Sequence, residues 1–421
     1  MSIAERIRPA VTARNVALIA ICGCLISIVS FGPRSALGFF LTPMSQANGW
    51  GRDVFAFSLA LQNLLWGIGQ PFAGAIADRY GTARVLSAGA LLYAVGLAGM
   101  AYAAAPSTLN LTAGVLIGFG LAGASPLIVI AAFGKLLPER YRTLSFGAGT
   151  AAGSFGQFLF SPVAVALMGF FGWQEALTIM ALMLLLILPL SLALNAPASS
   201  TKPQSSTPAQ APVAPAASQS LGQALKEALS HRSYVLLVLG YFTCGFQLAF
   251  ITVHMPAYLV DRGLSAQVGG WTIAVIGLFN IIGSLYSGWL SGRLPKRYIL
   301  AVIYFLRALA ILAFISFPVT PVTAILFGAS MGFLWLSTVP PTSALIQVMF
   351  GARWLAMLVG FSFFSHQVGG FLGVLIGGIA FERTGSYDVV WWLSILLGVL
   401  SALINLPIVE KPAPRLAAAA A

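Results

Sequence analysis

Stretches of about 20 consecutive apolar residues recur twelve times along the chain, and that pattern excludes most of what 421 residues could fold into. At roughly 1.5 Å of rise per residue, each stretch is long enough to cross roughly 30 Å of hydrocarbon as an α-helix. The stretches lie at about 15–42, 54–77, 84–105, 110–134, 144–168, 174–195, 233–260, 268–291, 298–317, 321–349, 354–380 and 388–409. Only 8% of the residues are charged, against about 25% in soluble domains. A membrane β-barrel needs short segments alternating apolar with polar residues, and these runs do not alternate. The expectation is an all-α membrane protein with twelve transmembrane helices. The first run follows a basic N-terminus, as in a signal peptide, but it is too long and no small-residue cleavage site precedes the second run. It reads as a retained helix. Cys22, Cys24 and Cys244 all fall inside apolar runs, so they read as packing positions rather than as disulfide or metal ligands.

The runs divide six and six. Between the sixth and seventh lies "APASSTKPQSSTPAQAPVAPAASQS", too rich in Pro, Ala and Ser to bury a core, which reads as a flexible linker. The expected organisation is an N-terminal six-helix bundle at 1–195, a linker at 196–232 and a C-terminal six-helix bundle at 233–421. Within the last part of the linker, "LGQALKEALS" reads as a short surface helix. The halves echo one another. "GAIADRYGTAR" at 74–84 follows run two and "GWLSGRLPKR" at 288–297 follows run eight, with Gly74 and Gly288, and Arg79 and Arg293, each 214 residues apart. "GSF" at 153–155 and "GGF" at 369–371 echo at nearly the same offset. Internal repeats of this kind mark secondary transporters, whose binding site lies where the repeats meet.

The net charge of +12 is mostly topological. With the N-terminus in the cytoplasm, 17 of the 22 basic residues fall on that side and only Arg52, Arg262 and Arg383 on the other. Nucleic-acid binding is therefore not expected. Two basic residues remain at membrane depth, Arg34 and Arg307, while all ten acids fall at or beyond the ends of the runs. An uncompensated charge in hydrocarbon costs at least about 2.5–3.5 kcal/mol. Arginine cannot escape that cost by losing its proton. Each guanidinium must therefore face water, backbone carbonyls or an arriving anion, and its planar fork suits a carboxylate. Arg34 lies about 30 Å from Arg14 along a straight helix, so snorkelling toward headgroups is its other reading. Arg307 lies about 15 Å from Arg297, near the midplane, and a bond to carbonyls of a neighbouring helix is its other reading.

His254 and His366 are the groups in the runs that titrate near neutrality, and either could carry a coupling proton; a neutral histidine bonded across helices is the alternative. Gln62, Gln247 and Asn280 sit at depth as further candidates to touch substrate, though interhelical hydrogen bonding explains most such amides.

Residues Gly74, Asp78, Arg79, Gly81 and Arg84 fit the G-x-x-x-D-R-x-G-x-x-R loop pattern of the major facilitator superfamily, which the whole chain resembles. In that family the loop serves as a conformational latch, with Asp78 pairing to arginines or a neighbouring helix terminus; Gly292 replaces the acid in the second copy. Two further stretches resemble the bacterial relatives of monocarboxylate transporters and oxalate:formate antiporters. In "FGPRSALGFFLTPM", Arg34 stands where that resemblance places a substrate-engaging lysine. "GGIAFERTGSYDVVW" resembles the family's turn before the last helix, with Glu382 in place of Asp. The family's Asp/Arg pair in span eight is missing, its place taken by Asn280 and Ser284. Drug:proton antiporters carry an Arg in span four, where this chain has Gly114.

The resemblance implies a monomeric carrier of the bacterial inner membrane with both termini cytoplasmic, moving a small organic anion (a mono- or dicarboxylate) by alternating access. No ATP-binding signature, cofactor site or catalytic cluster is present in the sequence. Proton symport and anion exchange are both open as the driving force. Export of a hydrophobic drug-like compound is the alternative.

Overall fold

The structure is a computed structural model and describes residues 13–195, 221–351 and 354–413. Arg6, Arg8, Lys202, Arg353 and Arg415, counted above toward the charge asymmetry, lie outside the described residues, as does most of the expected linker.

Among the described residues, eleven helices are long and apolar enough to cross a membrane. The twelfth pass is span two, the 29-residue helix Arg52–Tyr80. Its hydropathy is diluted by Gln62, Asn63 and Gln70, which the fold places against other helices rather than against lipid: Gln62 and Asn63 are buried, and Gln70 reaches Ser125. The later passes match their expected runs to within a few residues: Arg232–Asp261, Ala266–Ser291, Lys296–Ser316, Leu355–Thr384 and Asp388–Asn405. The stretch at the end of the linker forms a surface helix, Leu221–Ser230.

Four passes are interrupted where the sequence pattern showed continuous runs, and span six is one of them, with a turn at 185–186 between Trp173–Leu184 and Ile187–Ser191. Span one, Val16–Asn48, tightens into a 3₁₀ turn at Leu37–Phe40. Span four, Pro106–Leu136, breaks between Gly123 and Pro126. Span ten, Pro321–Phe350, is a helix to Leu334 and resumes at Val339. Proline disfavours helix at the residue before it and lacks an N–H, so helices end or restart there. Pro126 and Pro340 stand 214 residues apart, the offset that separates Gly74 from Gly288. The breaks in spans four and ten are two copies of one feature.

Helices of the two halves meet along two seams, span two on span eleven and span five on span eight. Both seams need small residues. A Cβ on Gly67 would sit 2.7 Å from Gln367 Cβ, and one on Gly277 would sit 2.6 Å from the Ser154 carbonyl oxygen. Seven residues along a helix returns to nearly the same face. Yet Gly74, Gly360 and Gly147, seven residues from Gly67, Gln367 and Ser154, would meet nothing within 4 Å. The halves therefore touch from mid-span to the face carrying Arg52 and separate toward the face carrying Asp78.

Arg52 closes its face. It donates from Nη1 and Nη2 to the Asp261 carboxylate at 2.6 and 2.7 Å and from Nη1 to Tyr387 Oη at 3.0 Å. Its backbone N–H donates to Glu382 Oε1 at 2.6 Å. Its guanidinium carbon lies 3.8 Å from the centre of the Phe381 ring. All four partners come from the C-terminal half. Beside this clasp, Gly38 in the turn of span one lies against the carbonyls of Thr252 and Val253 in span seven.

Candidate functional site

Arg34 sits near the C-terminal end of the first helical segment of span one, just before the 3₁₀ turn. The helix carries it to the seam of spans two and eleven. Nη2 donates to Asn63 Oδ1 at 2.9 Å, and Asn63 is held in turn by its own Nδ2 donating to the Leu59 carbonyl. The guanidinium carbon lies 4.7 Å from the Trp66 ring centre and 5.5 Å from that of Phe31. Trp66 is itself fixed by its indole N–H donating to Gln70. A hydrogen bond to a charged group contributes about 1.5–3 kcal/mol and a desolvated cation–π contact up to about 2. Together they hold the guanidinium in place. None of these partners carries a negative charge, and Nε is buried with no hydrogen-bond partner.

The C-terminal half completes the surroundings from span eleven. Trp66 meets Phe363 edge-on at 5.3 Å, Gln367 packs on Gly67, and Asn63 lies against Gly370. His366 stacks on Phe363 at 5.9 Å and leans on Tyr241 at 5.1 Å. Its Nδ1 lies 3.1 Å from Gln367 Oε1. Gln367 is 1% exposed, and its Nε2 is a second buried donor without a partner. Donors without acceptors thus stand on both sides of one seam. A carboxylate or similar oxyanion has the acceptors this arrangement lacks.

Arg307 has a different environment from the water-facing one expected of it. It is 0% exposed. Nε and Nη2 donate to the Leu334 carbonyl at 3.1 and 2.5 Å, and Nη2 also donates to the Trp335 carbonyl. The break in span ten is the cause. It leaves the last carbonyls of the helix Pro321–Leu334 without intrahelical donors, at the negative end of that helix's dipole. Arg307 caps them, and the reading as a carbonyl-bound arginine is the one the geometry favours.

The other candidates are similarly engaged. Gln62 donates to the Ala113 carbonyl and Gln247 to the Ser394 carbonyl, each at 2.9 Å and each between helices of one half. Asn280 bridges more widely: Nδ2 donates to Ser154 Oγ at 2.8 Å across the seam, and Oδ1 accepts from the Leu336 N–H at 2.9 Å, inside the break of span ten. His254 is wholly buried between Val374 and Tyr387. None of these four lies beside Arg34. His366 does lie across the seam, and Asn63, Trp66 and Gln367 join it.

The expected latch residues lie on the open face. Asp78 accepts from Lys135 Nζ at 2.5 Å, both side chains being substantially exposed. This pair joins spans two and four of the same half, not the two halves. Gly81 turns the chain with φ +100°, where a side chain would be strained, while Arg79 stacks on Tyr80. Gly74 leaves open space beside it. Arg84 opens the next helix. The three cysteines are free, and no cluster able to hold a metal occurs among the described residues.

Comparison with known proteins gives one picture. The family model for the Major Facilitator Superfamily matches residues 23–374. The uncharacterized MFS-type transporter YcxA of Bacillus subtilis is 29% identical over 395 residues, covering 90% of this chain and 91% of that protein. Monocarboxylate transporter 13 of Rattus norvegicus is 25% identical over 345 residues, covering 80% and 76%. The crystal structure of a D-xylose-proton symporter superposes with a TM-score of 0.67 at 16% identity, covering 94% of this chain and 97% of that one. At that identity the likeness speaks for the fold.

Proposed function

The chain belongs to the major facilitator superfamily and is a transporter, and from that premise we propose that it carries a small organic anion by alternating access, with Arg34 holding the anionic group. The observation that carries the proposal is the state of the Arg34 guanidinium: fixed at the seam of the two halves by an amide oxygen and two rings, with no carboxylate beside it. Among the described residues, every Asp and Glu lies at or beyond the end of a membrane-spanning helix. Gln367 and His366 would meet the same anion from the other half, which gives the substrate a reason to draw the halves together. The similarity to monocarboxylate transporters points the same way. In this reading the Asp78 face, with its basic loops, is cytoplasmic, the membrane is a bacterial inner membrane, and the described state is open to the cytoplasm. Gradients supply the energy, through proton symport or anion exchange.

Uptake of labelled carboxylates by proteoliposomes tests it. Removing a charged hydrogen-bonding group costs about 1.5–3 kcal/mol, so Arg34→Ala is expected to lower kcat/KM by roughly 10–150-fold. Arg34→Lys keeps the charge without the fork and is expected to fall between. Undiminished carboxylate uptake by Arg34→Ala would overturn the proposal. A hydrophobic-compound exporter is the competing reading; it would show drug-stimulated flux and indifference to Arg34.

A further inference from the structure

The clasp at Arg52 continues inward to a buried histidine. Tyr387 Oη accepts from Arg52 Nη1 and lies 3.3 Å from His254 Nδ1. The other ring nitrogen, Nε2, lies 2.9 Å from the Val374 carbonyl oxygen. A carbonyl can only accept, so Nε2 carries a hydrogen. In the neutral ring Nδ1 is then an acceptor, and the Tyr387 hydroxyl donates to it. Burial pushes the Tyr387 phenol up to about 12, so the hydroxyl keeps its hydrogen at any physiological pH. The chain of bonds from Val374 through His254, Tyr387 and Arg52 to Asp261 is fully assigned, and it requires His254 to be neutral.

We propose that His254 is a proton-binding site whose occupation opens the Arg52 face of the carrier. A second proton would sit on Nδ1, pointing at the hydroxyl hydrogen of Tyr387. The phenol would have to turn, and its oxygen would then face two cations, His254 from behind and Arg52 from in front. Among the described residues no acid touches the ring, whose hydrogen-bond partners are Val374 and Tyr387. Asp261, at the end of span seven, is already bidentate with Arg52, and Glu382, at the end of span eleven, accepts the Arg52 backbone N–H. From the remaining neighbours the ring meets Phe250 of its own helix, 5.5 Å away, and Gly377 of span eleven. The closed clasp therefore disfavours the protonated ring. Separating the clasp lets water reach the imidazole, which then takes its proton near the ordinary pH of about 6.5. Acid at this face draws it open. This goes beyond anion binding at Arg34 and does not depend on it.

The size of the effect follows from linkage. If only the open state binds the proton, the open-to-closed ratio grows as one plus the proton occupancy ratio, about 30-fold between pH 7.5 and pH 5.0. The ratio can be read from the distance between spin labels on Ala47→Cys and Arg383→Cys, exposed positions on opposite halves near the clasp, in protein whose three native cysteines are replaced. The parent protein is expected to show the 30-fold rise. His254→Gln can still donate to Val374 and accept from Tyr387 but cannot take a charge, and is expected to stay closed at both pH values. Should that variant fail to fold, Tyr387→Phe serves: without the hydroxyl hydrogen the response is expected to shrink at least threefold. An unchanged response in either variant, or a parent distance that ignores pH, would overturn the proposal.

Discussion

Two arginines lie at membrane depth, one in each half, and the fold treats them in opposite ways. Arg307 stands beside a broken helix, and the loose carbonyls of Leu334 and Trp335 take up hydrogens from Nε and Nη2, which leaves Nη1 alone without a partner. Arg34 stands beside an intact one. Span two is helical throughout from Arg52 to Tyr80, so its carbonyls are occupied, and the only oxygen it offers is the side-chain amide of Asn63. A guanidinium in a membrane protein is therefore not by its depth alone a ligand for substrate. What decides is whether the neighbouring backbone has acceptors to spare.

That contrast can be broken or sharpened by substitution. The largest effect is expected at Arg307. In Arg307→Met the carbonyls of Leu334 and Trp335 lose the donors of a wholly buried side chain, at about 1–3 kcal/mol each. Thermal unfolding in detergent should show a fall in Tm of roughly 2–7 °C, whether or not a carboxylate is added. A variant of normal stability that has lost anion binding would reverse the roles assigned to the two arginines. Next comes Asn63→Asp, which gives Arg34 the protein carboxylate it lacks. It should weaken carboxylate binding at least tenfold by isothermal titration while leaving Tm within a few degrees, since the new ion pair supplies what the lost bond to Leu59 removes. Tight anion binding that survives this change would mean the anion sits elsewhere. The smallest effect is expected for Asp78→Asn. The pair with Lys135 is exposed and joins helices of one half, so the change in unfolding free energy should stay within about 1 kcal/mol. A larger loss of stability would show that the open-face loop does more than this pair.

Much of this architecture is legible in the chain itself, because lipid imposes a length and a composition on every span. The two halves, the charge asymmetry and the isolation of Arg34 from acids all follow from residue types and spacing. The breaks are harder to read. Proline is tolerated inside several spans, at Pro33, Pro71, Pro162 and Pro256, without interrupting the helix. The repeat of Pro126 at Pro340 is what singles out the matched breaks in spans four and ten. The fate of Arg307 turns on that distinction. The partners of Arg34 are harder still. Asn63 and Trp66 resemble the other amides and aromatics of the spans, and nothing local says that Gln62 turns toward span four while its neighbour turns toward Arg34. Facing across a seam is a property of the assembled bundle.

Asn280 adds a constraint on motion. One side-chain amide grips Ser154 with its nitrogen and the Leu336 N–H with its oxygen. Any swing that parts spans five and eight has to pull on the same short group that pins the discontinuity in span ten, one and two residues from the carbonyls under Arg307. Parting the two halves and loading the break inside span ten are thereby tied to one side chain.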